Sequence, residues 1–326
     1  MIHKFTVPEE QPKTRLDVFL SEQLPELTRS AIANKLKNEA GLVNKKPAAV
    51  HTFIKPGDSI TFNSDQPKKA SKTKQMSHTG KVERATWDLK KMIVEETDDF
   101  IVINKPSGLI VHPDANYTDG TLVDLLVEYC PSIAKIGEDP SRPGIVHRID
   151  KDVSGLMVIA KNQDTFDILK QQFKDRKTHK KYLALAYGTL PQKEGEIKFR
   201  IARSTSKARM AARPENEEKG KAAWTHYKLL EQLNGASLVE LEIVSGRTHQ
   251  IRAHLNALKN PVIGDPLYIQ KQYKQIPTTR LMLQSTELSF LDPKTQERLT
   301  FNIPTAPAFN ELIKKLKKES LKSTKY

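Results

Sequence analysis

The sequence predicts an α+β protein: a large domain around a mixed or antiparallel sheet, preceded by a small α/β module. Three observations support this prediction. After residue 89, short apolar runs bounded by turn residues dominate, with few strict strand–helix–strand alternations. Before residue 65, apolar residues recur at helical spacing and are followed by shorter strand-like runs. A lysine-rich stretch separates the two, so we expect three segments, 12–64, 65–88 and 89–326.

The first segment is expected to fold as a module of two helices and short strands. Apolar side chains recur at helical spacing from Leu16 to Leu24, and Pro25 ends this first helix. A second helix fits residues 30–38, with Ser30 as its N-cap. The predicted strands of the module lie at 42–44 and within 54–62, where a turn occupies 55–58.

The second segment, residues 65–88, is predicted to be a flexible basic linker. Six lysines and arginines occur between Gln66 and Thr86 against one acidic residue, Glu83. The stretch has too few apolar residues to offset the entropy lost on ordering. We expect this linker also to contact a phosphate backbone. The alternative is an ordered surface loop with solvated charges.

The elements of the third segment follow from apolar runs and helical periodicity. The predicted strands lie at 92–94, 100–103, 156–160, 182–186 and 238–244. The predicted helices lie at 121–129, 164–174, 248–258 and 308–318.

The composition excludes several classes of protein. The 326 residues carry a formal net charge of +14, which favours a polyanionic partner. The single cysteine, Cys130, excludes an internal disulfide framework and favours a reducing, cytoplasmic location. No stretch reaches the roughly 18 consecutive apolar residues of a membrane span, and the N-terminus lacks a signal-peptide core. We therefore expect a cytoplasmic protein that has no membrane partner.

The densest cluster of reactive residue types lies at 147–155, in a predicted loop before a strand. Arg148 and Lys151 flank Asp150, and neighbouring cations favour an ionised carboxylate. An ionised carboxylate in a pocket can attack the anomeric carbon of a sugar. The alternative is a charged surface turn in which Asp150 pairs with Arg148 in solvent, and composition alone favours this alternative.

A second cluster spans 246–254, where a strand leads into a predicted helix. Thr248 is the expected cap of that helix, and His249 and Arg252 are three residues apart, which places them on one face. Arg247 lies just before the helix N-terminus, where backbone N–H groups favour an anion. The cluster therefore indicates recognition of a phosphate or a carboxylate.

Neither a metal nor a cofactor is expected. His249 and His254 are five residues apart, which misses the i, i+4 register of the helical zinc motif. Satisfied or solvent-facing histidines are the favoured interpretation. The sequence also lacks a Walker-type phosphate loop, a dinucleotide-binding glycine pattern and a nucleophile-elbow serine.

Two weaker signals concern nucleic acid. Tyr182 opens an apolar strand after Lys180 and Lys181, so its ring could stack on a base, although a strand tyrosine is usually just half-buried packing. Arg29 and Lys35 lie on the basic flank of the second helix, which is a candidate RNA-binding surface. A basic helix flank is more often only a solvated face.

Two resemblances to known families run through the chain. Residues 15–20, 30–32, 41–44 and 55–58 resemble the S-four RNA-binding domain. Four motifs in order resemble the RluA-type pseudouridine synthases, closest to their large-subunit ribosomal RNA synthase D and C branches: 103–108, 147–156, 181–184 and 246–252, extended by 262–268. The sequence departs from the usual residues of that family at Ile149, Val153, Ser245 and Gln284.

The second resemblance implies an enzyme that isomerises uridines to pseudouridines in structured RNA, expected to be large-subunit ribosomal RNA, without a cofactor. It implies that Asp150 attacks the anomeric carbon or removes a ribose proton, and that Arg252 pairs with it. Tyr182 would stack on the target base and help remove the proton from carbon 5. Arg148 is the candidate to fill the space of the extruded base, and Arg247 to contact RNA. We expect a monomer.

Three alternatives remain at this point. The first is a catalytically silent RNA-binding or ribosome assembly factor, which would need no set of Asp150, Tyr182 and Arg252. The second is a glycosylase that breaks the same bond but releases the base. The third is the same isomerase acting on transfer RNA.

Overall fold

The computed structural model describes two compact units of the chain, residues 1–83 and 84–326. The described residues are 1–12, 14–27, 32, 35–36, 40–48, 52–64, 87–113, 120–204 and 209–323. Most of the predicted linker, 65–86, lies outside them. None of the described helices is long and apolar enough to cross a membrane.

The first unit combines one described helix with short antiparallel strands. The helix is α1 (Leu16–Gln23), and the strands are β1 (Ile2–Thr6), β2 (Thr14–Arg15), β3 (Gly41–Val43), β4 (Lys46–Pro47), β5 (Phe53–Ile54) and β6 (Ser59–Asn63). Among these residues, β1, β6, β3 and β4 form one sheet in that order, and β2 pairs with β5. Strand β1 lies before the segment that the sequence predicts as a module, and it pairs with β6 along its whole length.

One hydrophobic core joins the helix and the sheet of this unit. Leu16, Phe19 and Leu20 on α1 pack with Ile60 and Phe62 on β6, and all five are buried. The three residues on α1 are spaced so that they lie on one face of the helix, as the sequence predicts. Of the predicted second helix, Ile32, Lys35 and Leu36 are described and helical, whereas Ser30 is among the residues not described.

The second unit is built on a mixed sheet. Its strands are β7 (Ile93–Glu96), β8 (Phe100–Lys105), β9 (Ser154–Ala160), β10 (His179–Tyr187), β11 (Glu194–Ile197), β12 (Arg200–Arg203), β13 (Met210–Arg213), β14 (Lys221–Ala222), β15 (Thr225–Leu233), β16 (Ala236–Ile243), β17 (Leu283–Leu291) and β18 (Arg298–Asn302). Within the described chain, the order of the strands in this mixed sheet is β11-β15-β16-β10-β17-β9-β8-β7, and β18 pairs with β17. The strands β12, β13 and β14 lie outside the mixed sheet. The β9–β17 pair is parallel and the other pairs are antiparallel. The α+β prediction is confirmed.

The sequence predicted four helices of this unit, and most of their ends lie within a few residues of the predicted positions. They are α2 (Leu122–Tyr129), α3 (Gln163–Lys174), α4 (Gln250–Ala257) and α5 (Pro307–Ser323). Thr121 caps α2: its backbone N–H donates to the Asp124 carboxylate at 2.8 Å, and its hydroxyl accepts from the Asp124 backbone N–H at 3.4 Å.

Strands β8 and β9 are apolar along almost their whole length because both faces of the sheet are covered there. Ile101, Ile103, Met157 and Ile159 belong to the main core. The alternate residues face a second core to which Leu169 of α3 contributes. These buried strands form a rigid base for the loop 147–153, which enters β9.

Candidate active site

A cleft of about 540 Å³ opens where three segments meet. Its lining comes from the loop before β9, from β10 and from the connection between β16 and α4. The cleft brings together the sequence-predicted residues of the second unit: Arg148, Asp150, Tyr182, Arg247 and Arg252. These residues are as many as 104 positions apart in sequence, from Arg148 to Arg252, so the fold alone makes them neighbours.

Asp150 is held by a buried arginine that is itself held by another aspartate. Arg252 Nη1 donates to Asp150 Oδ2 at 3.1 Å. Arg252 Nε and Nη2 donate to the two carboxylate oxygens of Asp265 at 2.7 and 2.8 Å, which is a bidentate pair. The side chains of Arg252 and Asp265 are 2% and 1% exposed, whereas that of Asp150 is 17% exposed. Of the two carboxylates, Asp150 is therefore the one that a substrate can reach.

The contacts of Asp150 fall on one of its two oxygens. His249 Nε2 lies 3.9 Å from Oδ2, the same atom that accepts from Arg252. Burial lowers the pKa of His249 and outweighs the negative charge of Asp150, which raises it, while the positive charge of Arg252 acts in the same direction as burial. Among the described residues, none donates a hydrogen bond to Asp150 Oδ1, which leaves that oxygen available for a reaction.

His249 enters α4 in an unexpected conformation. It is the N-cap of the helix, with φ 55°, and its Nδ1 lies 3.3 Å from the Tyr268 hydroxyl. Thr248, the predicted cap, is therefore one residue too early, and the prediction of its capping role is wrong. A turn precedes the helix, because the Gln250 N–H donates to the Arg247 carbonyl at 3.0 Å and Gln250 Oε1 accepts from the Arg247 N–H at 3.1 Å. The helix therefore begins one residue later than a cap at Thr248 would require.

Gln250 fixes the whole segment that precedes Arg252. Its Oε1 also accepts from Ser245 Oγ at 2.8 Å, and its Nε2 donates to the Trp224 carbonyl at 2.9 Å and to Thr225 Oγ1 at 3.0 Å. The side chain is buried. This residue lies within a motif that the sequence analysis singled out, but its role depends on partners about 25 residues away in sequence, which no local pattern indicates.

Tyr182 projects from β10 at a bulge in the pairing with β17. It is 6% exposed and lines the cleft. Burial raises the pKa of Tyr182 well above its usual range, and the negative charge of Asp150 adds to this, while a hydrogen bond with Ser285 acts in the opposite direction. The phenol is therefore protonated at any physiological pH, and it offers the cleft an aromatic surface.

A buried lysine ties the motif at 103–108 to the loop that carries Asp150. Lys105 is fully buried, and its ammonium donates to the carbonyls of Pro106, Leu109 and Lys151 at 2.9, 2.7 and 3.0 Å. Burial lowers the pKa of Lys105 to about 7, while the negative charges of Asp152 and Asp150 favour its charged form.

Two further bonds complete this attachment. Ser107 Oγ donates to the Asp152 carbonyl at 2.6 Å, and the Gly108 N–H donates to the Lys151 carbonyl at 2.9 Å. Gly108 has φ +95°, a conformation that favours glycine. The motif at 103–108 thus supports the backbone of the loop that carries Asp150.

The remaining lining is strongly basic. Arg148 is exposed, and its Nη1 lies 2.7 Å from His112 Nε2. Arg247 Nε donates to the Ala222 carbonyl at 3.4 Å. Lys180 is 7% exposed, and its ammonium lies 5.3 Å from the centroid of the Phe173 ring. Burial lowers the pKa of Lys180 to about 8.

Two RNA-binding candidates, Arg29 and Lys35, belong to the first unit. Lys35 is half-buried in that unit, and Arg29 lies outside the described residues. Their predicted contact with RNA stays a prediction.

The histidines of the described chain offer no metal site. His254 is fully buried, with its ring nitrogens 2.9 Å from Thr225 Oγ1 and 3.2 Å from the Phe199 carbonyl. Burial lowers the pKa of His254 to about 4, so it is a neutral structural residue. In the residues that the structure describes, no group of three or more His, Cys, Asp or Glu side chains could hold a metal ion.

Comparison with known proteins identifies the class of this site. The model of the family described as RNA pseudouridylate synthase matches residues 99–257, which include Asp150, Tyr182 and Arg252. The uncharacterized RNA pseudouridine synthase YlyB of Bacillus subtilis is 34% identical over 96% of this chain and 97% of its own length. The ribosomal large subunit pseudouridine synthase D of Neisseria meningitidis is 34% identical over 97% of this chain and 82% of its own length.

A solved structure agrees with these relatives. The structure of human RNA pseudouridylate synthase domain containing 1 aligns with this chain with a TM-score of 0.53 and 26% sequence identity. The alignment covers 69% of this chain and 93% of the human one. The fold and the matches together define an RNA-modifying isomerase. The chain belongs to the RNA pseudouridine synthase family, in its RluA-type branch, and it is an RNA pseudouridine synthase.

Proposed function

We propose that this isomerase acts on specific uridines of structured large-subunit ribosomal RNA, with Asp150 as the nucleophile toward a flipped-out nucleotide. The observation that carries the proposal is the position of Asp150. It is a partly exposed carboxylate at the base of a basic cleft, attached through Oδ2 to a buried arginine and without a described donor at Oδ1. The ribosomal substrate rests on relatives that are named large-subunit synthases, including one from Escherichia coli that is 36% identical over 81% of this chain.

The proposed reaction balances without a cofactor. Oδ1 of Asp150 attacks the anomeric carbon of the ribose as the bond to uracil nitrogen 1 breaks, and the base leaves with the electron pair. The uracil turns, its carbon 5 bonds to the anomeric carbon, and Oδ1 departs. The proton on carbon 5 passes to solvent, and nitrogen 1 takes one up. Removal of a ribose proton by the same oxygen would use the same geometry.

Arg252 binds the Asp150 carboxylate and orients it. Its guanidinium is a permanent cation, and Nη1 donates to Asp150 Oδ2 at 3.1 Å. Because Asp265 already binds Nε and Nη2, the guanidinium is not free to turn and follow Oδ1. We assign Arg252 the role of orienting Oδ2, so that Oδ1 faces the cleft.

Tyr182 and Arg148 are assigned to the base and to the space it leaves. The protonated phenol of Tyr182 favours stacking on uracil rather than accepting the carbon 5 proton. The exposed side chain of Arg148 is long enough to occupy the gap that the flipped base leaves in the RNA stack. Filling this gap lowers the free-energy cost of flipping, which is a few kcal/mol. Arg247 and Lys180 supply cations for the flanking phosphates.

The decisive experiment compares Asp150→Ala with Asp152→Asn, a matched control in the same loop. Total RNA from cells that lack the protein is incubated with each purified variant, and pseudouridines are mapped by carbodiimide modification. We expect no product from Asp150→Ala, with RNA affinity within about threefold of wild type because binding and chemistry use different groups. Product formation by Asp150→Ala would contradict the assignment of the nucleophile.

The same RNA separates the alternatives. A glycosylase would release free uracil and leave abasic sites, whereas the isomerase conserves mass. A silent binding factor would leave the RNA unchanged. Mapped sites in transfer RNA alone would replace the ribosomal substrate and leave the proposed chemistry intact.

A further inference from the structure

A second, smaller cleft adjoins the catalytic one. It has a volume of about 280 Å³ and shares Arg176, Val244 and Ser245 with the lining of the catalytic cleft. Its other lining residues include Lys198, Arg200, Glu215 and Trp224. None of these four has a role in the reaction proposed above.

Trp224 is the distinctive feature of this cleft. Its side chain is 38% exposed, although an indole is a large apolar group whose exposure is unfavourable unless something covers it. The ammonium of Lys198 lies 4.9 Å from the centroid of the ring, and Glu196 holds that ammonium at 2.7 Å. The ring therefore has a cation beside it and still presents open surface to the cleft.

The backbone of Trp224 is hydrogen-bonded to the segment that leads into Arg252. Its N–H donates to Ser245 Oγ at 3.3 Å, and its carbonyl accepts from Gln250 Nε2 at 2.9 Å. Gln250 is on α4, two residues before Arg252, which binds Asp150. A group bound on the indole would thus be held at a defined distance from the reacting carbon.

The charge around the ring matches a nucleotide. Among the lining residues of this cleft, Arg176, Lys198 and Arg200 are cationic and Glu215 is the one carboxylate. Arg200 donates to the Gly220 carbonyl through Nε and Nη2 at 3.2 and 2.9 Å, so its guanidinium is held in place. An aromatic platform beside cations is the combination that binds single-stranded nucleic acid.

We propose that this cleft binds an unpaired nucleobase next to the target uridine, stacked on Trp224 with its phosphate held by Arg176 and Lys198. The inference rests on the proposed RNA substrate and deepens it, because it requires that the target be flanked by at least one unpaired nucleotide. Stacking on any base has little sequence preference, so the cleft would select for RNA structure rather than for sequence.

The test uses the intrinsic fluorescence of Trp224. The chain has two tryptophans, Trp87 and Trp224, so the Trp87→Phe variant reports on Trp224 alone. The full-length variant is titrated with hexaadenylate, which contains no uridine and cannot react, and with an abasic hexamer of the same charge. We expect hexaadenylate to quench the emission and to bind several-fold more tightly than the abasic hexamer. Equal quenching by both, or no quenching by either, overturns the proposal.

A second measurement uses the Trp224→Ala variant, with Leu230→Ala as the control because Leu230 is another exposed apolar residue of the same unit, 47% exposed. Loss of one stacked base should weaken hexaadenylate binding roughly 5- to 100-fold and leave the abasic hexamer unaffected. On the RNA that the wild type modifies, KM should rise much more than kcat falls, and Trp224→Phe should restore most of the affinity. Equal loss for both hexamers overturns the proposal.

The two hypotheses fail separately. If the wild type forms no pseudouridine in total RNA, the proposed function is wrong whatever the hexamers do. If the wild type is active but the Trp224 cleft does not distinguish a base from an abasic ribose, only this inference is wrong.

Discussion

The sharpest prediction concerns Asp265, which binds the arginine that contacts Asp150 but is itself closed to solvent. In Asp265→Asn the volume is kept, the charge is lost, and one of the two carboxylate oxygens becomes an NH₂ donor. Oδ1 accepts from Arg252 Nη2 and from the backbone N–H groups of Leu267 and Tyr268 at 2.9 and 3.2 Å, so the amide oxygen should take this position. The amide NH₂ then faces Arg252 Nε, and two donors oppose each other.

The size of the effect follows from burial. Both side chains are at most 2% exposed, and removing one partner of a buried ion pair costs about 3–5 kcal/mol. Asp150 remains as a second counter-ion at 3.1 Å. The expected loss in the free energy of unfolding is therefore near the lower end of this range, about 3 kcal/mol. The released guanidinium can turn toward Asp150, and a misplacement of about 1 Å in the nucleophile costs on the order of 100-fold in kcat.

Asp150→Asn is the matched control, because it removes the other carboxylate from the same guanidinium. Here Arg252 keeps its bidentate partner, so the free energy of unfolding should change by less than about 1 kcal/mol while activity is lost. Urea unfolding followed by tryptophan fluorescence measures the relevant unit, since Trp87 and Trp224 both lie in residues 84–326. If Asp265→Asn unfolds within about 1 kcal/mol of wild type and stays active, Asp265 does not hold the arginine in place.

Two further predictions concern the backbone and the cleft. Gly155→Ala should lower the free energy of unfolding by at least about 3 kcal/mol, because Gly155 has φ +119° and an added Cβ would lie 2.1 Å from the Ser285 carbonyl oxygen. Gly120→Ala is the control, since Gly120 has φ +70° in open space, and it should cost only about 1–2 kcal/mol. Equal urea midpoints for the two variants would refute the argument. Burial lowers the pKa of Lys180 to about 8, so its charge is present below that pH and lost above it. RNA affinity should therefore fall as pH rises from about 7 to 9, and a Lys180→Met variant that keeps the same fall would contradict this.

Much of the fold was predictable because the strands and helices that form the core follow simple periodicities. Helices α2 to α5 and the buried strands β8 and β9 carry continuous or periodic apolar residues, and they were predicted close to their observed bounds. Strand β17 was not predicted, because polar residues interrupt its apolar pattern. Gln284 is buried there since its side chain donates to the Pro304 carbonyl at 3.0 Å and accepts from the Ala306 N–H at 2.9 Å.

The site was predictable to the extent that its residues lie in motifs. Asp150, Tyr182 and Arg252 were named from the sequence, and the structure places all three on one cleft. The supporting residues Lys105 and Gln250 also lie in motifs, at 103–108 and 246–252, yet their roles could not be predicted because their partners come from elsewhere in the chain. Lys105, for example, bonds a carbonyl 46 residues away.

The arrangement around Arg252 explains how one carboxylate can be both held and reactive. If Arg252 had Asp150 as its sole partner, a bidentate pair would engage both oxygens of the nucleophile and a proton or carbon could reach neither. Asp265 binds the edge of the guanidinium formed by Nε and Nη2, and the contact with Asp150 comes from Nη1 alone. The second aspartate thus limits how the guanidinium can engage the first, and the outcome is a carboxylate with one anchored and one open oxygen. On this reasoning we expect the reaction to depend on Asp265 as well as on Arg252, although the Asp265 side chain is only 1% exposed.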